Sequence, residues 1–402
     1  MLSGLEKNIK NKNEITVKCP PDIFKELEKG CNKRVALEGE GDKFLHHAFS
    51  QGNFLSKNNL TVCVEIESEN KKLFLIIPKD IHLGVIESQM LGLAEFYKKY
   101  YDVTVVIPES TDLIKVKNEL KILTYSNNQN LKNIIKKSDI VYFRSVINFI
   151  QLFAICRINK LEILYDFRGF IAFETFYKKR NYIKFIILFF AEFLAYFLSN
   201  KIQCVSENMK QELEKKFFFK KKIDVIPCLA HQSSLRTDHC KRKIRFVYVG
   251  GIAKWQMLDL ILKISLQIQK EISCEFTFIS NNPLELEKRI SGIGLLNFKI
   301  LTGNNKFVQT ILKEQDFGFL LRENLLFNRI SSPIKFLEYS SNGVVPIITQ
   351  YVGDYSNDIE KYDLGIVFKG NMSKLIDDLK SVTSKIVEFR QRNYRYSSKL
   401  LW

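Results

Sequence analysis

Residues 329–349 read RISSPIKFLEYSSNGVVPIIT, a stretch whose residue order specifies a short helix followed by a buried strand. Ser332 is of the type that caps a helix start, Pro333 fits the first helical position and Asn342-Gly343 is a helix stop. The spacing therefore predicts a helix from Pro333 to about Ser341. The apolar run from Val344 to Ile348 reads as a buried strand. A helix start leaves backbone N–H groups unpaired and carries the positive end of the dipole, and Lys335 lies one turn in, which makes an anion site. Lys335 and Glu338 are three apart and share one face, so a cation and a carboxylate point toward the same crevice. The same pair also fits a solvent-exposed ion pair on an ordinary helix, and the surrounding chain decides between the two.

Around this stretch the second half alternates strand and helix. IRFVYVGG (244–251) is a strand ending in two glycines, followed by Lys254-Trp255 and a helix from about Gln256 to Lys270. Gly250 and Gly251, at a strand-to-helix turn, let backbone approach a phosphate closely. The pattern is not GxGxxG and no acidic residue stands where a dinucleotide ribose needs one, so a nicotinamide cofactor is unsupported. FTFIS (276–280), NFKIL (297–301), DFGFLLRE (316–323), VVPIIT (344–349) and LGIVF (364–368) continue the sheet. These define a domain over 244–385, and the basic, aromatic segment 386–402 is read as packing back across the first half.

The first half, 71–230, repeats the pattern. KLFLIIP (72–78), DVTVVIP (102–108), IVYFRS (140–145), EILYDF (162–167), IQCVS (202–206) and IDVIP (223–227) are near-continuous apolar strands with helical stretches between most of them. That describes a parallel sheet covered on both faces, with ligands beyond the carboxyl ends of its strands. Gly84 to Ser88, Arg144-Ser145 and Asp166 to Gly169 are polar strand ends and thus cleft candidates. Residues 1–70, rich in Lys, Asn, Glu and Gly, read as an N-terminal extension in which His46-His47 is a surface pair. The segment 231–243 reads as a linker; Cys228, His231, His239 and Cys240 fit no common zinc spacing, so no metal is expected.

A chain of 402 residues should form two domains or slightly more. Its 61 Lys+Arg against 44 Asp+Glu give +17, which implies attraction to nucleotide phosphates, an acidic membrane surface or nucleic acid. Nucleic acid is disfavoured, because the aromatics lie inside apolar strands and helices and no RNA or DNA module pattern occurs. The eight cysteines form no CxxC pair and no signal peptide opens the chain, so a reducing cytoplasm is expected. Lys178-Lys179-Arg180 precedes YIKFIILFFAEFLAYFL (182–198), interrupted by Lys184 and Glu192. This is either a helix sunk in the first half's core or one lying in a membrane interface, with a second basic-aromatic cluster at 217–222.

From about Lys72 onward the chain resembles the group 1 glycosyltransferases, the large retaining GT-B family, and in particular its bacterial surface-polysaccharide members. The resemblance rests on KLFLIIPKDIHLGVIESQMLGLA, VYFRS, YDFRG and CVSENMKQEL in the first half, and on YVGGIAKW, DFGFLLRE and SPIKFLEYSSNGVVPII in the second. It implies two doubly wound Rossmann-like domains facing a cleft. It also implies a nucleotide-sugar donor as substrate with no cofactor or metal, and a glycan or lipid-linked acceptor. Glu338 would bind the ribose hydroxyls, the N–H groups after Ser331-Ser332 would hold the diphosphate, and Lys254 and Lys335 would neutralise it. Gly84 would approach the donor from the first domain, while Asp166 and Arg168 would face the cleft from the acceptor side. Asp166 is the one carboxylate nominated for proton handling or orientation, with a buried partnership to Arg168 as its alternative. The family's first glutamate falls at Ile330 and its usual arginine at Gly251, so Arg322 or Glu323 would take over sugar contacts. The competing readings are a nucleotide-sugar epimerase of the same fold and a basic nucleic-acid-binding protein.

Overall fold

The computed structural model describes residues 7–11, 14–19, 61–66, 70–79, 85–111, 120–218, 220–230, 233, 235 and 243–400. Gly84, His46, His47, His231, His239 and Cys240, and most of the 231–243 linker, lie outside the described residues. Contacts divide the chain into two compact units, 1–70 and 71–402. The first holds a three-stranded sheet of β1 (Lys7–Asn11), β2 (Glu14–Cys19) and β3 (Thr61–Ile66), in which β1 and β2 are antiparallel and β2 and β3 parallel. The extension is therefore built on a sheet, which its Lys- and Asn-rich composition did not announce.

The larger unit carries two parallel sheets. The first contains β4 (Lys72–Ile76), β5 (Asp102–Pro108), β6 (Lys121–Tyr125), β7 (Ile140–Phe143), β8 (Glu162–Phe167), β9 (Lys201–Cys204) and β10 (Ile223–Val225), in the order β10-β9-β8-β7-β4-β5-β6. The second contains β11 (Ile244–Val249), β12 (Cys274–Ile279), β13 (Phe298–Leu301), β14 (Phe317–Leu320), β15 (Val345–Ile348) and β16 (Ile366–Val367), in the order β13-β12-β11-β14-β15-β16. Chain order reverses between β4 and β7 in one sheet and between β11 and β14 in the other. Crevices for ligands open at such reversals, outside the carboxyl ends of the strands.

Alternate side chains of each strand enter opposite cores, which is why these strands are apolar on both faces. Leu73 and Leu75 join the helix Leu91–Tyr97, whereas Phe74 and Ile76 join the layer formed by Phe149, Leu152, Ala191 and Ala195. In the second sheet Phe246 and Tyr248 face one core, Val247 and Val249 the other. Ile330 belongs to the second half by sequence, yet it is buried within a core cluster of the first half. Its carbonyl also accepts from Ser206 Oγ at 2.6 Å. An apolar side chain at this position is thus explained by packing between the halves, where a glutamate would be buried without a partner.

The C-terminal helix Ile386–Ser397 packs on the helix Ile334–Ser341 and on β15. Ile386 and Phe389 join a core of the second half. The helix thus packs chiefly on the second half, and the end of the segment meets the first half at residue 230, where the Leu400 carbonyl accepts from Ala230 N at 3.3 Å.

The helix Tyr182–Leu198 buries Ala191, Glu192, Ala195 and Tyr196, while Ile183, Ile186, Ile187 and Phe190 are each more than half exposed. Glu192 Oε1 accepts from Ile171 N at 2.5 Å, capping the helix Ile171–Lys179, and Oε2 has no partner. Burial raises this carboxyl to about 8, against the opposing effect of the backbone donors at Ile171 and Ala172. The folded state therefore keeps its proton where the unfolded chain has already lost it, and stability falls as pH rises from the ordinary carboxylate range to about 8. Glu192→Gln, which keeps the acceptor and cannot ionise, is expected to raise the melting temperature at pH 8 and to match the parent near pH 5. Each pH unit between the two titrations is worth about 1.4 kcal/mol, so thermal melts at the two pH values resolve the difference.

Candidate active site

Gly250 and Gly251 follow β11 and Arg322 and Glu323 follow β14, the two strands between which chain order reverses, and the helix carrying Lys335 and Glu338 packs against β14 and β15. The helix is Ile334–Ser341, one residue shorter at its start than its sequence predicts, with Pro333 as the residue before it. Ser332 does not cap it. Its Oγ instead accepts from Cys228 N at 3.1 Å and lies 2.9 Å from Tyr355 Oη, a hydroxyl committed to joining the two halves. Ser331 Oγ donates to Asn328 O at 2.8 Å. Gly353 (φ +54°) brings its backbone against this turn, and a Cβ there would stand 1.8 Å from Ser331 O. At the helix start Phe336 N already donates to Pro333 O at 3.0 Å, and Lys335 stands in the same first turn, at the positive end of the dipole.

Lys335 Nζ lies 2.9 Å from Glu338 Oε2, with side chains 28% and 6% exposed respectively. Glu338 is therefore buried rather than the solvent-facing carboxylate of an ordinary surface pair, and only Lys335 reaches solvent. Arg322, at the end of β14, is also buried. Its N–H donates to Thr349 Oγ1 at 2.9 Å, Nη1 donates to Leu321 O at 2.8 Å, and the guanidinium lies 4.9 Å from the Trp255 ring centroid. Among the described residues it forms no ion pair, and burial lowers it to about 10. A buried guanidinium without a carboxylate has the chemistry to take an anion.

Lys254 opens the short turn Lys254–Gln256 and is exposed. The two glycines before it serve the protein's own packing. A Cβ at Gly250 would meet Gln256 Oε1 at 2.4 Å, and Gly251 N already donates to that oxygen at 3.0 Å. Backbone at Gly251 is thus occupied by Gln256 instead of being open to a phosphate. Glu323 accepts from Tyr177 Oη of the first half at 2.9 Å, and the Tyr177 ring meets Phe327, which in turn meets Trp255. This aromatic bridge had no signal in sequence, since its members lie far apart in the chain and none belongs to a motif. Asp354 makes a second bridge, accepting from Glu207 N at 2.7 Å and Asn208 N at 3.1 Å at the start of the helix Glu207–Phe217.

In the first half Asp166 is fully buried. Its Oδ2 accepts from Tyr142 Oη and, at 2.5 Å, from Arg168 Nε. Burial alone would lower Arg168; the adjoining carboxylate outweighs it and holds the guanidinium firmly charged. The structure thus shows the buried Asp166–Arg168 partnership, with Arg168 Nη1 also 3.7 Å from Cys228 Sγ. Among the described residues no cluster of His, Cys, Asp and Glu is placed to hold a metal.

No protein-family model and no curated protein matches the chain. Solved structures do match. A glycosyltransferase from Rickettsia africae ESF-5 superposes with a TM-score of 0.62 at 15% identity, over 83% of this chain and 95% of that one. HepE of Anabaena in complex with UDP gives 0.63 at 12%, over 82% and 95%. WaaG, a glycosyltransferase involved in lipopolysaccharide biosynthesis, gives 0.59 at 13%, over 81% and 95%. At these identities the likeness establishes the fold: the larger unit is a GT-B pair of Rossmann-like domains, the architecture of those glycosyltransferases.

Proposed function

We propose that this protein is a retaining glycosyltransferase that moves a sugar from a nucleotide-sugar donor to a glycan or lipid-linked glycan acceptor in surface polysaccharide biosynthesis. The observation that carries the reading is the buried Glu338 with its partner Lys335 on a helix packed against β14, the strand that Arg322, buried without a carboxylate partner among the described residues, follows. Glu338 has the chemistry to accept from ribose hydroxyls, and the two cations and the helix start have the chemistry to hold a diphosphate. UDP in the HepE complex is a donor-type ligand on the same fold. When the donor's sugar bond breaks, negative charge grows on the leaving diphosphate and positive charge on the sugar. A fixed cationic cradle of Lys335, Arg322 and the exposed Lys254 stabilises that change without reorganising. The burial of Asp166 gives it the role of orienting Arg168, and no protein nucleophile is assigned; in this reading the departing phosphate receives the acceptor's proton. Incubation with a panel of nucleotide sugars tests the proposal. Released nucleoside diphosphate supports transfer, epimerised sugar supports the rival enzyme, and inert donors overturn both.

The acceptor class fits a second feature of the first half. The helix Tyr182–Leu198 presents Ile183, Ile186, Ile187 and Phe190 outward, and the neighbouring helix Val146–Ile158 presents Ile147, Ile150 and Ile158. Lys178, Lys179, Arg180 and Lys184 are exposed nearby, and the one acid of the helix Tyr182–Leu198, Glu192, is buried. Among the described residues no helix is long and apolar enough to cross a membrane. In our reading this face rests on the anionic inner leaflet from the cytoplasm, where each basic residue adds about 1 kcal/mol of attraction. Flotation with anionic vesicles is expected to carry the parent protein at low salt and to lose it as salt rises. Changing Ile183, Ile186 and Ile187 together to serine should weaken flotation at low salt and lose it at a lower salt concentration than the parent, and unchanged flotation would contradict this face.

A further inference from the structure

The carboxyl edge of the first sheet carries more positive charge than its own carboxylates balance. Arg144 follows β7 at the reversal between β4 and β7, where a crevice for ligands opens. Its Nη2 donates to Gln89 Oε1 at 2.7 Å and its Nη1 to Met90 Sδ at 3.2 Å. Both acceptors are neutral, and both stand on the turn Ile86–Met90 that follows β4 on the other side of the crevice. Among the described residues Arg144 forms no ion pair. The carboxylate of the adjoining strand, Asp166, is held by Arg168 and Tyr142. Burial, and then the positive charge of Arg168, lower Arg144 from the ordinary arginine range, as expected for two guanidinium groups sharing one carboxylate.

Two further donors follow Arg144 in the chain. The helix Val146–Ile158 starts immediately after Arg144, so the positive end of its dipole lies at the same crevice. In its first turn Asn148 Nδ2 is buried without an acceptor. Buried donors are nearly always paired, and an unpaired amide in the turn that follows a guanidinium without a carboxylate fits an anionic ligand.

We propose that Arg144, with Asn148 in the helix turn that follows it, binds an anionic group of the acceptor, either a phosphate of a lipid-linked carrier or a carboxylate of an acidic sugar. The assignment rests on the transferase reading above and concerns its acceptor half. A guanidinium suits both groups, because its planar fork meets two oxygens of an oxyanion at once. In the parent protein the crevice then holds the acceptor's charged group while the donor sits on the second half.

The test is calorimetric titration of farnesyl diphosphate, inorganic pyrophosphate and sodium glucuronate into protein already saturated with UDP, after UDP affinity has been measured alone. UDP binding by the parent protein reports on the donor reading independently of this one. At least one of the three probes is expected to bind. A preference for farnesyl diphosphate over pyrophosphate points to a lipid carrier, and binding of glucuronate points to an acidic glycan. Arg144→Gln and Asn148→Ala should weaken that probe, the former by about tenfold or more, as charge-assisted contacts imply. Arg144→Lys keeps the charge without the fork and should restore only part of the affinity, and UDP affinity should stay within about twofold in all three variants. The proposal is overturned if no probe binds the UDP-saturated protein, if the probes bind only by displacing UDP, or if folded Arg144→Gln and Asn148→Ala bind them as the parent does.

Discussion

Glu338→Gln is expected to reduce donor turnover efficiency by about 10- to 150-fold while leaving the fold intact. The carboxylate is buried and faces Lys335 at 2.9 Å. Loss of its charge-assisted contacts to ribose removes about 1.5–3 kcal/mol, which sets that range of rates. Glutamine is the informative replacement because it keeps the side-chain volume; alanine would open a void at a buried position and confuse binding with packing. The neighbouring Lys335 remains 28% exposed, so water reaches the ammonium once its partner is neutral and the cost to stability stays modest. Circular dichroism followed by donor kinetics separates the outcomes. A folded Glu338→Gln protein with parental kinetics would reduce the pair to a structural one.

Arg322→Met is expected to produce an effect of similar size on nucleotide affinity, with the opposite signature in stability. In the unliganded protein the Arg322 guanidinium is buried against Trp255 without a carboxylate among the described residues, an arrangement that costs folding energy. Methionine retains the packing on Trp255 and removes the charge. Affinity for UDP should fall by about tenfold or more, since a charge-assisted bond to phosphate is lost, whereas the melting temperature of the unliganded protein should hold or rise. Titration and melting curves on the same sample report both. A protein that melts earlier and binds UDP normally would make Arg322 a packing residue.

Sequence was a good guide where one residue type answers to one physical demand. DVTVVIP and EILYDF became β5 and β8 with the bounds read from their apolar runs, because strands buried on both faces must be apolar throughout. KILTY was passed over and is the edge strand β6. Of its residues only Tyr125 is buried, so it shows neither a continuous apolar run nor clean alternation. Pro333 and Asn342-Gly343 bounded the site helix to within a residue, but local capping rules assigned Ser332 to the helix when its hydroxyl serves Cys228 and Tyr355. That partnership is tertiary and leaves no local trace. The burial of Glu338 was equally hidden, since helical spacing tells which side chains share a face and not what covers it. Ile330 shows the reverse case. Its departure from the family pattern was legible, and its reason, packing into a core of the other half, became visible in three dimensions.

The central claim is that the start of the helix Ile334–Ser341 and the residues around it form the nucleoside diphosphate site. A crystal structure of the protein grown with UDP tests it most directly. The account predicts ribose hydroxyls within hydrogen-bonding distance of the Glu338 carboxylate and diphosphate oxygens on Lys335, Arg322 and the N–H groups that open the helix. UDP bound elsewhere, with Lys335 and Glu338 still paired only to each other, would contradict it.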